Sequence, residues 1–328
     1  MQISWLKNIA DGWQARISED RLPHAVMLIG PAGTGKRPMA TWMAQQRLAA
    51  DFMEPLPVFP RPEYAHPDLQ WLRPLEDKQT IGVDQVRALV GELSLTSYEG
   101  GGKVAIVEPA NAMTIAAANS LLKTLEEPPG DALLVLIADR VGKLPATIFS
   151  RCQRINFNTP AEAASLAWLE KLQAGGRWPQ ALHAAGGAPL SAIKALDRLA
   201  DTDSMAQDFA ALADGRAAPL EVALRWSKSE PGFVLDWLSG QIQHCIQRAS
   251  DSGAGGASRV VADSVLHRID TRKLFCYLDM INRLRAQAAG SYNVQLSLEG
   301  LLIDWTEGLS RIAEPGNVST AKLSFLRG

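Results

Sequence analysis

The 328-residue sequence lacks the features that mark membrane or secreted proteins. It has only three cysteines, Cys152, Cys245 and Cys276, and their odd number and wide spacing favour reduced thiols over a disulfide framework. No run of about 18 apolar residues occurs, so no membrane-spanning helix is predicted. The first residues lack the basic-then-apolar pattern of a signal peptide. Together, these absences predict a cytoplasmic protein.

An excess of basic residues is also missing. The chain has 33 Lys and Arg against 35 Asp and Glu, for a formal net charge of −2. Strong binding to DNA by the chain alone is therefore not expected. Trp226, Trp237 and Trp305 fall on helical stretches, and we expect them in a core and not as platforms for stacked bases. With 47% hydrophobic and 21% charged residues, the composition is that of an ordinary globular protein.

The first 160 residues alternate short apolar runs with helical stretches, a pattern typical of a parallel sheet wrapped by helices. Strands are predicted at 25–29, 68–72, 103–107, 132–138 and 153–157, and helices at 36–50, 84–93 and 116–127. The proline-rich segment 51–67 is predicted to be an irregular excursion. From residue 160 onward the strand pattern is absent, so the sequence predicts an α/β unit followed by helices.

Three domains are predicted from this organisation: 1–160, 161–202 and 203–328. The second is a three-helix unit with helices at 161–173, 178–185 and 190–200, and the polar segment 201–204 marks its end. The third has five helices, centred near residues 209, 223, 240, 280 and 303, and its Gly/Ser-rich segment 250–258 is expected to be a flexible connection.

A glycine-rich loop follows the first strand and opens a helix, the setting of a phosphate-binding Walker A loop. Residues 30–36 read Gly-Pro-Ala-Gly-Thr-Gly-Lys. Gly30, Gly33 and Gly35 would let backbone N–H groups converge on phosphate oxygens, and Lys36 would reach the terminal phosphates. The loop therefore predicts a nucleotide-binding site or the remnant of one.

Two changes argue against hydrolysis at this loop. Arg37 stands where a Ser or Thr hydroxyl would bind Mg²⁺, and the third strand is followed by Glu108 and Pro109 in place of an acidic pair. Glu108 keeps a carboxylate for a metal, but Pro109 cannot activate water. Three alternatives remain: a working ATPase, a weak nucleotide or phosphate site without turnover, and a loop kept only for its packing. The two changes favour the last two.

Three further segments resemble the bacterial clamp loaders of the AAA+ family. Residues 121–129 read Leu-Leu-Lys-Thr-Leu-Glu-Glu-Pro-Pro, residues 143–152 run from Lys-Leu-Pro to Ser-Arg-Cys, and residues 292–299 read Tyr-Asn-Val-Gln-Leu-Ser-Leu-Glu. The resemblance implies an α/β AAA+ P-loop domain, then a small helical lid domain, then an all-α collar domain for oligomerisation.

Departures from the family indicate which kind of subunit this is. The motor subunits carry Thr after the loop lysine and an Asp-Glu pair after the third strand, and both are missing. A sensor Thr or Asn is replaced by Ala138-Asp139, and a lid arginine is absent near Leu190. The delta subunit generally lacks the Ser-Arg-Cys box, which this chain keeps. The resemblance therefore implies another non-motor subunit, and the alternatives are an ATP-hydrolysing gamma/tau-type motor subunit and a DNA-binding adaptor.

The resemblance also assigns roles to individual residues. Arg151 would be an arginine finger that acts in trans on a neighbour's ATP, with Ser150 positioning its turn and Cys152 packed inward. Glu126 and Glu127 would make interface contacts. The implied partners are the gamma/tau and delta subunits and, through the assembly, the sliding clamp and primer–template DNA. Related proteins bind zinc through four cysteines, but residues 49–66 contain none, so no zinc is predicted.

Overall fold

The computed structural model describes residues 1–49, 54–60, 64–76, 78–139, 144–250, 260–285, 287 and 292–310. These residues form two compact units, Met1–Asp197 and Arg198–Gly328. The first unit is built on one five-stranded parallel sheet, and the described part of the second is helical. The predicted α/β class followed by helices is confirmed. The three-domain division stays a prediction.

The first unit alternates helices and strands along the chain. Its elements are α1 (Lys7–Ser18), β1 (Ala25–Ile29), α2 (Lys36–Leu48), β2 (Leu69–Leu72), α3 (Val83–Leu93), β3 (Lys103–Val107), α4 (Ile115–Glu126), β4 (Ala132–Ala138), α5 (Ala146–Phe149), β5 (Gln153–Asn156), α6 (Glu162–Leu172), α7 (Trp178–Ala184) and α8 (Pro189–Asp197). The sheet order is β2-β3-β4-β1-β5, which places β1 between β4 and β5.

Burial explains why the central strands are continuous apolar runs. Every residue of β1, β3 and β4 is buried, because helices cover both faces of a parallel sheet. One face packs against α3 and α4, whose buried residues include Val86, Leu89, Leu121 and Leu125. The strands are therefore held rigidly, and the loops at their ends start from fixed positions.

The described part of the second unit contains α9 (Leu199–Ala213), α10 (Pro219–Trp226), α11 (Pro231–Ser250), α12 (Asp263–Leu266), α13 (Thr271–Arg285) and α14 (Val294–Thr306). All five predicted helix centres fall inside helices. The tryptophans are in the core as predicted: Trp226 and Trp305 are buried, Trp237 packs beside them, and the Trp305 ring stacks on Phe209 with centroids 4.5 Å apart.

The polar segment 201–204, expected to mark a domain boundary, does not interrupt a helix. It lies inside α9, and the two compact units divide between Asp197 and Arg198. The helix continues because Met205, Phe209 and Leu212 are buried along one of its faces, while the polar residues face outward or lie half-buried. The domain boundary near residue 202 stays a prediction. The predicted flexible segment 250–258 lies outside the described residues, apart from the backbone of residue 250.

The described part of the proline-rich excursion pairs with the chain's N-terminal residues. Gln2 and Val58 form an antiparallel bridge, and Ile3 N–H donates to the Pro57 carbonyl at 2.8 Å. The indole N–H of Trp5 then donates to the Thr34 carbonyl at 2.9 Å. The N-terminal segment thus ties the excursion to the glycine-rich loop.

Candidate functional site

The glycine-rich loop has the backbone geometry that its sequence predicts. It begins where β1 ends, and Gly30, Gly33 and Gly35 have φ values of 152°, 79° and 106°. The last two lie in the left-handed region that favours glycine. A Cβ on Gly33 would lie 2.1 Å from Ser191 Oγ, so the loop also needs glycine there for close approach. Gly35 is the N-cap of α2.

Lys36 is folded back onto its own loop. Its side chain is 4% exposed, and its ammonium group donates to the carbonyls of Gly30 at 2.5 Å and Pro31 at 2.7 Å. It also forms an ion pair with Asp139 Oδ1 at 2.8 Å. An ammonium group has three N–H donors, so these contacts satisfy all of them. A phosphate would have to replace these partners to reach the lysine.

Arginines surround the carboxylate at the end of β3. Glu108 Oε2 lies 3.5 Å from Arg37 Nε and 3.4 Å from Arg73 Nε. Both guanidinium groups also lie over the Trp71 ring, at 5.4 Å and 4.6 Å from a ring centroid. Arg37 thus stands at the position where a Ser or Thr hydroxyl would bind a metal, and its charge neutralises the carboxylate of Glu108. Pro109 follows Glu108 and offers no acid or base.

The start of α8 lies against the same loop. Leu190 N–H donates to the Gly33 carbonyl at 3.0 Å, and Ser191 Oγ donates to the Ala32 carbonyl at 3.3 Å. The position near Leu190, where the family's lid arginine was sought, is therefore beside the loop, but its side chain is apolar. A cavity of about 710 Å³ opens between these groups and the excursion, and its lining includes Arg37, Tyr64, Trp71, Glu108, Asp139 and Lys194.

Arg151 sits on a short turn between α5 and β5. Ile148 is fully buried on one side and Cys152 is 8% exposed on the other, so the backbone of this turn is anchored. The Arg151 side chain is 33% exposed. Its Nε donates to Glu126 Oε1 at 2.7 Å, and Nη1 donates to the Thr147 carbonyl at 3.1 Å and to Ser150 Oγ at 3.2 Å.

The glycine-rich loop and Arg151 lie at opposite edges of the sheet. Gln153 pairs with Val26 in the register of β5 on β1, so Arg151 is level with the residues that precede β1. The loop begins after Ile29, the last residue of β1. Arg151 is level with residue 24 and the loop begins at Gly30, so six steps of about 3.3 Å separate the two levels by roughly 20 Å along the strand. Because the strands of this sheet are parallel, their carboxyl ends, where the loop lies, are all at one end of the sheet, and their amino ends, where Arg151 lies, are all at the other.

The other predicted site residues fall near Arg151. Ser150 Oγ donates to the Thr147 carbonyl at 3.0 Å and accepts from Arg151, which agrees with its predicted role in the turn. Glu126 ends α4, and Glu127 is the exposed residue that follows it. Cys152 packs inward as expected, and burial raises the pKa of its thiol to about 12, which disfavours the thiolate form that a nucleophile needs. Lys143 of the box lies outside the described residues.

Sequence reasoning missed two partners in the site. Arg73 follows β2 and pairs with Glu108. Asp139, interpreted from the sequence only as the replacement of a sensor Thr or Asn, pairs with Lys36. Both come directly after the carboxyl end of a strand, where parallel sheets gather their functional groups, and this position was the available signal.

Neither a metal site nor a membrane helix is found in the part of the chain that the structure describes. No group of three or more His, Cys, Asp or Glu there could hold a metal ion. No helix there is long and apolar enough to cross a bilayer. The expected absence of zinc stays a prediction.

The parallel sheet in this order, with a glycine-rich loop after β1 and helices beyond it, is an AAA+-like P-loop fold. Residues 5–161 match the family model described as DNA polymerase III, delta subunit. Subunit delta' of DNA polymerase III from Pseudomonas aeruginosa is 33% identical over 319 residues, covering 86% of this chain and 91% of that protein. The chain belongs to the DNA polymerase III subunit delta' family.

The chain is also similar to proteins named for other DNA polymerase III subunits. Subunit tau of DNA polymerase III from Bacillus subtilis is 30% identical over 173 residues, covering 51% of this chain and 30% of that protein. Among solved structures, a gamma subunit-related protein of DNA polymerase III from Thermotoga maritima is 20% identical with a TM-score of 0.47, covering 94% of this chain and 99% of that one.

Proposed function

We propose that this chain is a non-catalytic subunit of the DNA polymerase III clamp loader. In this role it supplies Arg151 in trans to the ATP of a neighbouring motor subunit and so helps to load the sliding clamp on primed DNA. The family membership and the matched Ser-Arg-Cys box support the proposal. Its partners would be gamma/tau and delta subunits, and it would work in the cytoplasm.

The observation that carries the proposal is the position of Arg151 relative to the glycine-rich loop. The two lie at opposite ends of the strands of one sheet, roughly 20 Å apart along the direction of β1. An arginine finger contacts the terminal phosphate, so Arg151 cannot complete a site on its own loop. A partly exposed guanidinium on an anchored turn suits a site on another subunit, because it stays charged and presents a planar set of donors.

The chain's own loop is poorly suited to hydrolysis. Lys36 is satisfied by two carbonyls and Asp139, Arg37 brings a positive charge to the metal position, and Pro109 replaces the second acid. The loop would then act as a packed scaffold, or as a weak phosphate or nucleotide site without turnover. No cofactor is required for either role.

The motor-subunit alternative rests on the similarity to subunit tau. It requires magnesium-dependent ATP turnover by the isolated chain, which the groups around Lys36 and Arg37 argue against. The helical second unit would be the collar through which the subunits assemble, and Ser150, Glu126 and Glu127 would lie near the interface with the motor subunit.

The test is the ATPase of a clamp loader reconstituted with its motor and delta subunits, stimulated by primed DNA and the clamp. We expect Arg151→Ala to lower kcat at the site that it completes while assembly, followed by gel filtration, is unchanged. The isolated chain should show no turnover. Unchanged ATPase with Arg151→Ala would refute a finger acting in trans, and turnover by the chain alone would favour the motor subunit.

A further inference from the structure

The contact between Arg151 and Glu126 joins two elements that are far apart in sequence. Arg151 lies on the turn after α5, and Glu126 is the last residue of α4. One carboxylate oxygen, Glu126 Oε1, accepts from Nε at 2.7 Å and also contacts Nη2. We propose that Glu126 is a positioning residue that holds the Arg151 guanidinium in the orientation needed at the neighbour's phosphate. This inference rests on the proposed function of Arg151.

Both ends of the pair start from rigid backbone. Leu125, next to Glu126, is 2% exposed and packs under the sheet, and its carbonyl lies 2.9 Å from a ring nitrogen of His24. Ile148 and Cys152 anchor the Arg151 turn in the same core. The remaining freedom is in the arginine side chain itself, which is long and has many rotamers. A fixed carboxylate removes much of that freedom.

The contacts leave part of the guanidinium available. A guanidinium has five N–H donors, and Glu126 takes the edge formed by Nε and Nη2 while Thr147 and Ser150 take Nη1. Among the described residues, one Nη2 donor has no contact of this kind, and a third of the side chain is exposed. Glu126 therefore holds the arginine from one side and does not cover it.

Pre-organisation of this kind helps a transition state more than it helps substrate binding, because a group already in place loses less entropy when charge develops. The ion pair itself is half exposed and contributes little to folding stability. Removing the carboxylate should thus change catalysis in the assembly and leave the fold intact.

The test compares five variants of this chain, among them Arg151→Ala alone and combined with Glu126→Ala, in the reconstituted clamp loader, with ATPase measured under stimulation by clamp and primed DNA. Glu126→Ala should lower kcat about fivefold with little change in KM for ATP. Glu126→Gln keeps an acceptor oxygen and should restore most of the rate. Glu19→Ala removes the acidic partner of another exposed pair, with Arg21, and should have no effect. In an Arg151→Ala background, Glu126→Ala should cause no further loss.

Each result decides the question. Wild-type or faster turnover by Glu126→Ala would overturn the inference, and faster turnover would show that Glu126 competes with the phosphate. An equal loss in the Arg151→Ala background would also overturn it, since Glu126 would then act elsewhere. If Arg151→Ala itself has no effect, the proposed function fails as well, and this outcome is distinct from failure of Glu126 alone.

Discussion

Replacing Asp139 by Asn should raise the affinity of the glycine-rich loop for phosphate. Asp139 follows β4 at the edge where the loop begins, and its Oδ1 lies 2.8 Å from Lys36 Nζ. The Asp139 carboxylate therefore occupies the Lys36 ammonium group that a phosphate would need, and it adds a negative charge that would repel the bound phosphate. Asparagine keeps an acceptor for Lys36 but removes both electrostatic obstacles.

The size of the effect follows from exposure. Lys36 is 4% exposed but Asp139 is 47% exposed, so solvent screens the pair and its contribution is about 1 kcal/mol. Relief of repulsion on the incoming anion adds an amount of the same order. A total of about 1–2 kcal/mol corresponds to an affinity increase of roughly 5- to 30-fold. The carbonyls of Gly30 and Pro31 still compete for Lys36, so binding stays weak.

The measurement is isothermal titration of the chain with pyrophosphate and with ATP, for the native sequence and for Asp139→Asn. Asp131 precedes β4 at the opposite edge and is 86% exposed, so Asp131→Asn changes the net charge equally without touching the loop. Adding Lys36→Met to Asp139→Asn should abolish the gain. Unchanged affinity in Asp139→Asn, or an equal gain in Asp131→Asn, would refute the reasoning.

Four other predictions concern stability and reactivity. Burial acts to raise the pKa of Asp68, but hydrogen bonds from Tyr98, Glu99, Ser97 and Lys103 outweigh burial and lower the pKa from 3.8 to about 2. The stability that Asp68 contributes is therefore present above pH 3.8 and is lost as the pH falls through about 2, and an acid titration of unfolding would show this loss. Asp68→Ala should destabilise the fold by about 3 kcal/mol in calorimetry, because it leaves the buried Lys103 without its ion pair; a loss below about 1 kcal/mol would contradict this. Gly33→Ala should cost more than about 1 kcal/mol in urea unfolding, since φ is positive there and Ser191 lies too close; native-like stability would argue against that geometry. Cys152 should resist a thiol reagent at pH 8 until the protein unfolds, while the half-buried Cys276 reacts sooner; mass spectrometry that found Cys152 labelled first would disprove its burial.

The central strands were predicted to the residue because burial on both faces leaves an unbroken apolar run. β3 and β4 have the predicted bounds, 103–107 and 132–138. Helix α1 was not predicted, since its twelve residues are mostly polar and only Ala10 and Trp13 are buried. The same physics explains why α9 continues through the polar run 201–204, since the buried residues on one face of the helix outweigh that run.

The candidate site was predictable in position but not in pairing. Lys36, Arg37 and Glu108 were found from the strand ends that they follow, because a parallel sheet aligns those ends. The partners were not found: Arg73 on Glu108 and Asp139 on Lys36 depend on side-chain directions that no local pattern encodes.

The contact between Arg151 and Glu126 was out of reach for a related reason. The interface contacts predicted for Glu126 stay a prediction, and no pattern in the sequence indicates that Glu126 binds Arg151, 25 positions away in sequence. The contact forms because α4 runs back along the sheet and ends beside the α5 turn. Only the packed arrangement of α4 and α5 on the sheet brings those two ends together.

The sheet is consistent with the proposed function, in which the chain supplies an arginine finger without hydrolysing ATP. The residues that depart from the family's catalytic pattern lie at the carboxyl ends of the strands: Arg37, Pro109 and Asp139. The pair formed by Arg151 and Glu126 lies at the opposite end of the sheet. Sites further apart than about 10 Å and without shared partners contribute almost independently to stability. Substitutions that close the loop around Lys36 therefore leave the packing of Ile148 and Leu125 unchanged. A subunit with a finger and no hydrolysis needs no new fold, only changes confined to one edge.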